Sequence, residues 1–397
     1  MRRLVLLALS LAACGTRTPV DTSRAAAFAD ASAGYDVPQS WLMAIGFQQG
    51  RFEPAEVVDT DPIATDPDGA LMADTAVDET DDTPDAIDAR DSNEPVRAWG
   101  LMYLTDDQIA QAAALTGLAP DDLRTEHAAN IEGAAALLAG PDLRAQTTAF
   151  LGVDGEAADL ALKDLDGVLR DGFDVTTEDG EHLALQGTSP IDAEIDETFD
   201  DAGNTAGVIE RAGQYPARQW IRSPNFGSRL GSPIRYIVIH DMEGTMPGAI
   251  QVFKNPANQT SAHYLVRSRD GHIVQMVHEG DNAWHSGHGW FNRHSIGIEH
   301  EGFANRRRGG GYYNATLYKA SAKLSCAIAV RYHIPVDRKH IFGHMNVPSN
   351  LASHTLCSDA RGIRGACGGV NHHSDPGRYW DWRTYMHEVA TCVAAAR

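Results

Sequence analysis

The sequence predicts a multidomain chain: an α-helical front half, then an α/β back half whose mixed β-sheet is flanked by helices. Three observations predict this. The length of 397 residues exceeds what one hydrophobic core usually serves. The charge is divided: residues 216–397 hold 21 Lys+Arg against 12 Asp+Glu (net +9), residues 1–215 hold 12 against 42 (net −30), and the whole chain carries −21. Apolar spacing is helical in the front half, whereas strand-like runs interleave with helical ones in the back half, where 15 of the 17 histidines lie. With 43% hydrophobic and 22% charged residues the chain is not disordered throughout. No apolar run reaches the roughly 18–20 residues of a membrane-spanning helix, which excludes a polytopic membrane protein. The acidic balance argues against a nucleic-acid partner.

Taken in order, Met1-Arg2-Arg3 followed by the apolar run Leu4–Ala13 reads as a secretory signal, residues 1–13. Leu11-Ala12-Ala13-Cys14 resembles the bacterial lipobox, which implies acylation of Cys14, a tether over 14–21 and a membrane-anchored lipoprotein of the bacterial cell envelope, on the periplasmic or outer-membrane side. The alternative is a plain signal peptide that contains a cysteine. Residues 22–187 read as a helical domain, with helices over Thr22–Ser32, Pro38–Gly50, Asp106–Leu115, Ala128–Leu138 and Ala157–Leu169, and Thr105 or Asp106 as the cap of the third. An insertion at about 53–94 carries 15 acids and one base, Arg90, a composition that cannot bury a core and reads as disordered. A Gly- and Asp-containing linker, 188–215, leads to the back domain, 216–397. There Ile234–His240, Ala262–Arg267 and Ile273–Val277 read as strands, while Asn314–Tyr332 and Trp380–Ala396 read as helices. Arg306-Arg307-Arg308 reads as a solvated charge run.

Export permits disulfides. Cys326, Cys357, Cys367 and Cys392 allow three pairings that spacing does not choose between. The expectation adopted is Cys357–Cys367 closing a local loop and Cys326–Cys392 joining two helices.

In the front half, the segment Leu42–Phe52 (LMAIGFQQGRF), the string Ala98–Thr105 (AWGLMYLT) and Asn130-Ile131 with Ala134–Leu138 resemble the motifs of lytic transglycosylases and goose-type lysozymes. The resemblance implies a lysozyme-like domain. Where that family places its catalytic Glu, this chain has Gln49, and an amide cannot protonate a leaving glycosidic oxygen. The module is therefore expected to be catalytically inactive and to hold glycan or position the enzyme, with a purely structural domain as the alternative.

In the back half, His240 and His344 each close a short apolar run, and Asp375 lies in the turn His373-Ser374-Asp375-Pro376-Gly377. Two imidazoles and one carboxylate on separate segments are a reasonable zinc set with a fourth position for water, although many triples could be drawn from fifteen histidines. Five blocks then align in order: YIVIH (236–240), SAHYLV (261–266), NAWHSG (282–287), SIGIEHEG (295–302), and Gly343-His344 with Asp375-Pro376-Gly377. They resemble the type 2, zinc-dependent N-acetylmuramoyl-L-alanine amidases, which share a fold with peptidoglycan recognition proteins.

The resemblance implies a bound Zn2+, peptidoglycan as substrate, and hydrolysis of the amide between the lactyl group of N-acetylmuramic acid and L-Ala of the stem peptide. Carried over residue by residue, it implies His240, His344 and Asp375 as zinc ligands and Glu299 as the catalytic acid/base. It implies His373 as the second catalytic group, favoured over its neighbour His372 by the two-residue spacing from Asp375, and Trp284 and His285 as substrate contacts. A monomer is expected. The alternatives are a non-catalytic peptidoglycan-binding receptor and a dual enzyme that also cuts glycan.

Overall fold

The computed structural model describes residues 23–54, 98–187, 219–359 and 373–396. The signal segment, Cys14, most of the acidic insertion, the linker, Cys367 and His372 lie outside the described residues.

The front half contains α1 (Arg24–Tyr35), α2 (Gln39–Gly50), a short ladder of β1 (Ala98–Trp99) with β2 (Leu104–Thr105), α3 (Asp106–Thr116), α4 (Pro120–Thr125), α5 (His127–Leu138), α6 (Leu143–Phe150) and α7 (Gly155–Asp171). A hairpin of β3 (Gly172–Thr176) and β4 (His182–Gln186) closes it. Spacing alone did not expose α4, α6 or this hairpin, because each is too short to show a period. Thr105 caps α3: its side chain accepts from the Gln108 N–H, and Gln108 reaches back to the Thr105 N–H. The core gathers Phe28, Leu42, Ile45, Leu101, Met102, Leu104, Ile109 and Ile131, all fully buried. Buried Asn130 fastens the AWGLM turn: its amide oxygen accepts from Met102 N at 2.8 Å and its nitrogen donates to the carbonyls of Trp99 and Leu123. Gly100, at φ +67, leaves the room this contact needs, since a Cβ there would overlap the Asn130 amide.

The back half is built on six strands: β5 (Gln219–Trp220), β7 (Tyr236–Asp241), β8 (Tyr264–Val266), β9 (Ile273–Gln275), β11 (Ser295–His300) and β12 (Ile341–Gly343). Their order is β12-β7-β11-β8-β9-β5, with β8–β9 antiparallel and the other pairs parallel. A side ladder pairs β6 (Phe226–Ser228) with β10 (Asp281–Ala283). The helices are α8 (Met246–Lys254), α9 (Gly289–His294), α10 (Ala315–Tyr332) and α11 (Trp382–Ala395). The back half is thus a mixed sheet with helices on both faces, as strands buried on both sides require.

Strand parity sorts the side chains. Ile237 and Ile239 of β7 and Ile296 and Ile298 of β11 pack on α10 and α11. Val238 and Phe342 face the other way, onto Phe291 of α9. Cys326 of α10 and Cys392 of α11 form a disulfide with a Cα–Cα distance of 6.0 Å. Cys357 is also disulfide-bonded; its expected partner, Cys367, lies outside the described residues.

The two halves share packing. Ala157, Leu160 and Ala161 of α7 join Met246, Ile250 and Phe253 of α8 in one apolar cluster. Tyr312 donates to the Gln48 carbonyl at the end of α2, and Arg269 pairs with Asp164 at 2.6 Å. Arg306, expected as part of a solvated run, is instead 7% exposed: its guanidinium lies 4.2 Å from the Phe303 ring centre and donates to the Pro54 carbonyl. An arginine buries readily when its stem covers apolar surface and its fork finds an acceptor.

Candidate metal centre and active site

The sheet register assembles the site. Glu299 pairs with His240 across β11 and β7. Gly343 pairs with Ile239 across β12 and β7, so His344, one residue on, comes level with His240. Parity turns His240, Glu299 and His344 away from α10 and α11, to one face at the C-terminal ends of three parallel strands, where open α/β sheets form their clefts.

Asp375 arrives from the loop after residue 372 and is pinned there. Its carbonyl accepts from Met345 N at 2.9 Å, and Gly343 gives Pro376 room, since a Cβ would stand 2.6 Å from Pro376 Cδ. Its carboxylate lies between the imidazoles: Oδ2 is 3.1 Å from His240 Nδ1 and Oδ1 is 3.1 Å from His344 Nδ1. One ligand-type atom from each of the three residues lies within 4.8 Å of the others, the one such group of three among the described residues. Burial pushes the Asp375 carboxyl up, but His344 and His240 outweigh burial and hold it well below the usual carboxylate range. Two imidazole nitrogens and a carboxylate brought this close form a donor set that suits zinc. His344 Nε2 is buried without a hydrogen-bond partner among the described residues, so nothing on that side competes for the ring.

Glu299 is 7% exposed, and its Oε2 finds no partner among the described residues. Burial, then the charges of Asp375 and Glu243, push its carboxyl well above its ordinary range. A carboxyl in that condition keeps its proton more readily than an exposed one, as a group that works by exchanging a proton requires. His373 stacks on His344 with ring centres 3.7 Å apart. Tyr313 hydroxyl lies 2.8 Å from Asp241 Oδ2 and 3.1 Å from the Pro376 carbonyl, tying the end of β7 to the Asp375 turn.

Of the two expected substrate contacts, Trp284 is half-buried, with its backbone bonded to Ser261 on both sides. His285 is 6% exposed and stands behind His240, its Nδ1 3.0 Å from His240 Nε2. Sequence reasoning missed Ser295 and Gly297, which lie beside His285. The period-2 series Ser295, Gly297, Glu299 carried that signal, because the three share one face of β11.

The family model of N-acetylmuramoyl-L-alanine amidase (Amidase_2) matches residues 230–378. The chain is 33% identical over 169 residues to N-acetylmuramoyl-L-alanine amidase A of Achromobacter lyticus, an alignment covering 38% of this chain and 81% of that enzyme. It is 27% identical over 157 residues to N-acetylmuramoyl-L-alanine amidase CwlA of Bacillus subtilis (36% of this chain, 53% of that enzyme). Among solved structures, the E. coli amidase AmiD in complex with anhydro-N-acetylmuramic acid-L-Ala-D-gamma-Glu-L-Lys aligns at a TM-score of 0.29 and 22% identity (41% of this chain, 65% of that one). All of these likenesses fall on part of the chain. The Achromobacter likeness, which takes in most of that enzyme's length, decides the family: the chain belongs to the N-acetylmuramoyl-L-alanine amidases.

Proposed function

We propose that the back half hydrolyses the amide joining the lactyl group of N-acetylmuramic acid to L-Ala of the peptidoglycan stem peptide, with zinc held by His240, His344 and Asp375. The observation that carries this reading is the register that sets Glu299 beside His240. When bound, zinc polarises the scissile carbonyl and acidifies the attacking water. Glu299 takes the proton from that water and returns it to the departing nitrogen, so the products are a lactyl carboxylate and the free amino terminus of L-Ala. A carboxyl raised by burial suits a group that must both accept and return a proton. His373, when cationic, steadies the negative charge that develops on the carbonyl oxygen.

The test is digestion of a defined muropeptide, read by mass spectrometry and by labelling of new amino termini. Release of an intact stem peptide beginning with L-Ala is expected, and its persistence after thorough chelation would overturn the zinc assignment.

For the front half, a lysozyme-like module without glycosidase activity is the reading supported by the Asn130 clasp on the AWGLM turn and by Gln49. Gln49 opens on a cavity of about 70 Å³ that it lines together with Val153 and Ala161 of the front half and Thr245 and Pro247 of the back half. No new reducing sugar ends are expected from cell walls; their appearance would defeat this reading. Acylation at Cys14, holding a monomer on a membrane of the bacterial envelope, completes the proposal. Cys14→Ser should move the protein out of the membrane fraction, and continued pelleting with membranes would refute lipidation.

A further inference from the structure

His240 is met from behind by a chain of polar groups that the hydrolytic step does not use. His240 Nε2 lies 3.0 Å from His285 Nδ1, and His285 Nε2 lies 3.1 Å from Ser295 Oγ. Ser295 Oγ lies 2.6 Å from the Phe291 carbonyl, which can only accept. All three side chains are buried: His240 is 2%, His285 6% and Ser295 0% exposed.

The hydrogen-bond directions follow from the end of the chain. A serine hydroxyl has one hydrogen, and here the Phe291 carbonyl takes it, so Ser295 Oγ is an acceptor toward His285. His285 must then carry its proton on Nε2. Its Nδ1 presents a lone pair, which accepts a proton from His240 Nε2. His240 is left with its own lone pair on Nδ1, the atom that lies 3.1 Å from Asp375 Oδ2.

We infer that His285 is a positioning residue for the metal centre: through Ser295 and the Phe291 carbonyl it holds His240 in the tautomer and ring orientation that present Nδ1 to zinc. The inference rests on the proposed role of His240 as a ligand. Metal-bound imidazoles are commonly oriented by a partner on their second nitrogen, usually a carboxylate or a carbonyl. Here a second imidazole takes that place and relays the demand of a main-chain carbonyl. Gly297 belongs to the same device. A Cβ at that position would stand 2.5 Å from His285 Cγ, so glycine leaves the room that the His285 ring occupies beside β11. This also accounts for glycine between Ile296 and Ile298 in the middle of a buried strand, where it is otherwise unfavourable.

The experiment uses the full chain with 15N-labelled histidine, loaded with zinc, and reads the imidazole nitrogens by NMR. The expected result is protons on His285 Nε2 and His240 Nε2, with His285 Nδ1 bare. A proton on His285 Nδ1 overturns the inference while leaving the zinc assignment standing; a wild-type chain that takes up no zinc removes both.

Competition with a chelator gives the second readout. His285→Leu and Gly297→Ala should each weaken zinc binding by about tenfold or more. His285→Gln, whose amide oxygen can still accept from His240 Nε2, should recover most of that loss. Equal affinities, within about twofold, in folded His285→Leu and wild-type protein would overturn the positioning role. Should His285→Leu fail to fold, the proton positions in the wild-type chain decide alone.

Discussion

Glu299 and His240 are paired across two parallel strands, and both leave the sheet on the face turned away from α10 and α11. That pairing brings the strongest candidate base of the chain alongside a metal-type ligand without any contribution from a flexible loop. The acid is also isolated, with Oε2 unpartnered among the described residues, so its removal should touch chemistry more than structure.

Glu299→Gln should therefore lower amide hydrolysis by about 10²–10⁴-fold, the range for a lost general base. Zinc content by elemental analysis should stay at the wild-type level, because the ligand set is intact. A loss below about tenfold would move the base elsewhere.

Removing the metal should abolish activity and lower stability together. A cation that binds the folded chain alone stabilises it by about 2.7 kcal/mol when present at about a hundred times its dissociation constant. Dialysis against chelator should lower the melting temperature, and added zinc should restore both melting and turnover. His344→Ala, which deletes one of the nitrogens that face Asp375, should behave like the chelated protein and fail to respond to zinc.

Glu301 supplies a pH test independent of the centre. It is buried, with Oε1 accepting from Met246 N at 3.1 Å and Oε2 from Ser268 N at 2.9 Å. Burial, then the charge of Asp164, pushes it up to about 7 from an ordinary value of 4.5. A carboxyl whose folded value lies above its unfolded one binds more protons in the native state, so stability falls as pH rises. This contribution is whole below the unfolded value and is lost as pH climbs through about 7. Urea titrations at about pH 5 and about pH 8 should show the stability gap between wild type and Glu301→Gln shrinking at the higher pH; a constant gap would contradict the shift.

The Cys326–Cys392 bridge ties α10 to α11 across a sequence separation of 66 residues. Closing a loop of that length in the unfolded chain corresponds to about 4 kcal/mol by the chain-entropy estimate, with 2–4 kcal/mol typical. The double variant Cys326→Ala/Cys392→Ala should lose stability in that range by denaturant unfolding and keep its zinc affinity, since the disulfide lies on the sheet face opposite the ligands. A variant as stable as the wild type would show that helix packing alone holds this face.

Much of this protein is legible along the chain. The alternation in Ile237-Val238-Ile239-His240, and again in Ile296-Gly297-Ile298-Glu299, already separates a core face from a chemical face, because successive side chains in a strand point to opposite sides. The ordered blocks from residue 236 to residue 377 carry the family. Three matters were decided only by tertiary structure. Parallel register, which depends on partners far apart in sequence, brings Glu299, His240 and His344 level. The place of His285 behind His240 depends on the absence of a side chain at Gly297, one strand away. Burial of Arg306 depends on Phe303 and the Pro54 carbonyl, the latter more than two hundred residues earlier. In each case the energy of a side chain is set by what is packed against it, and nearness along the chain does not specify those neighbours.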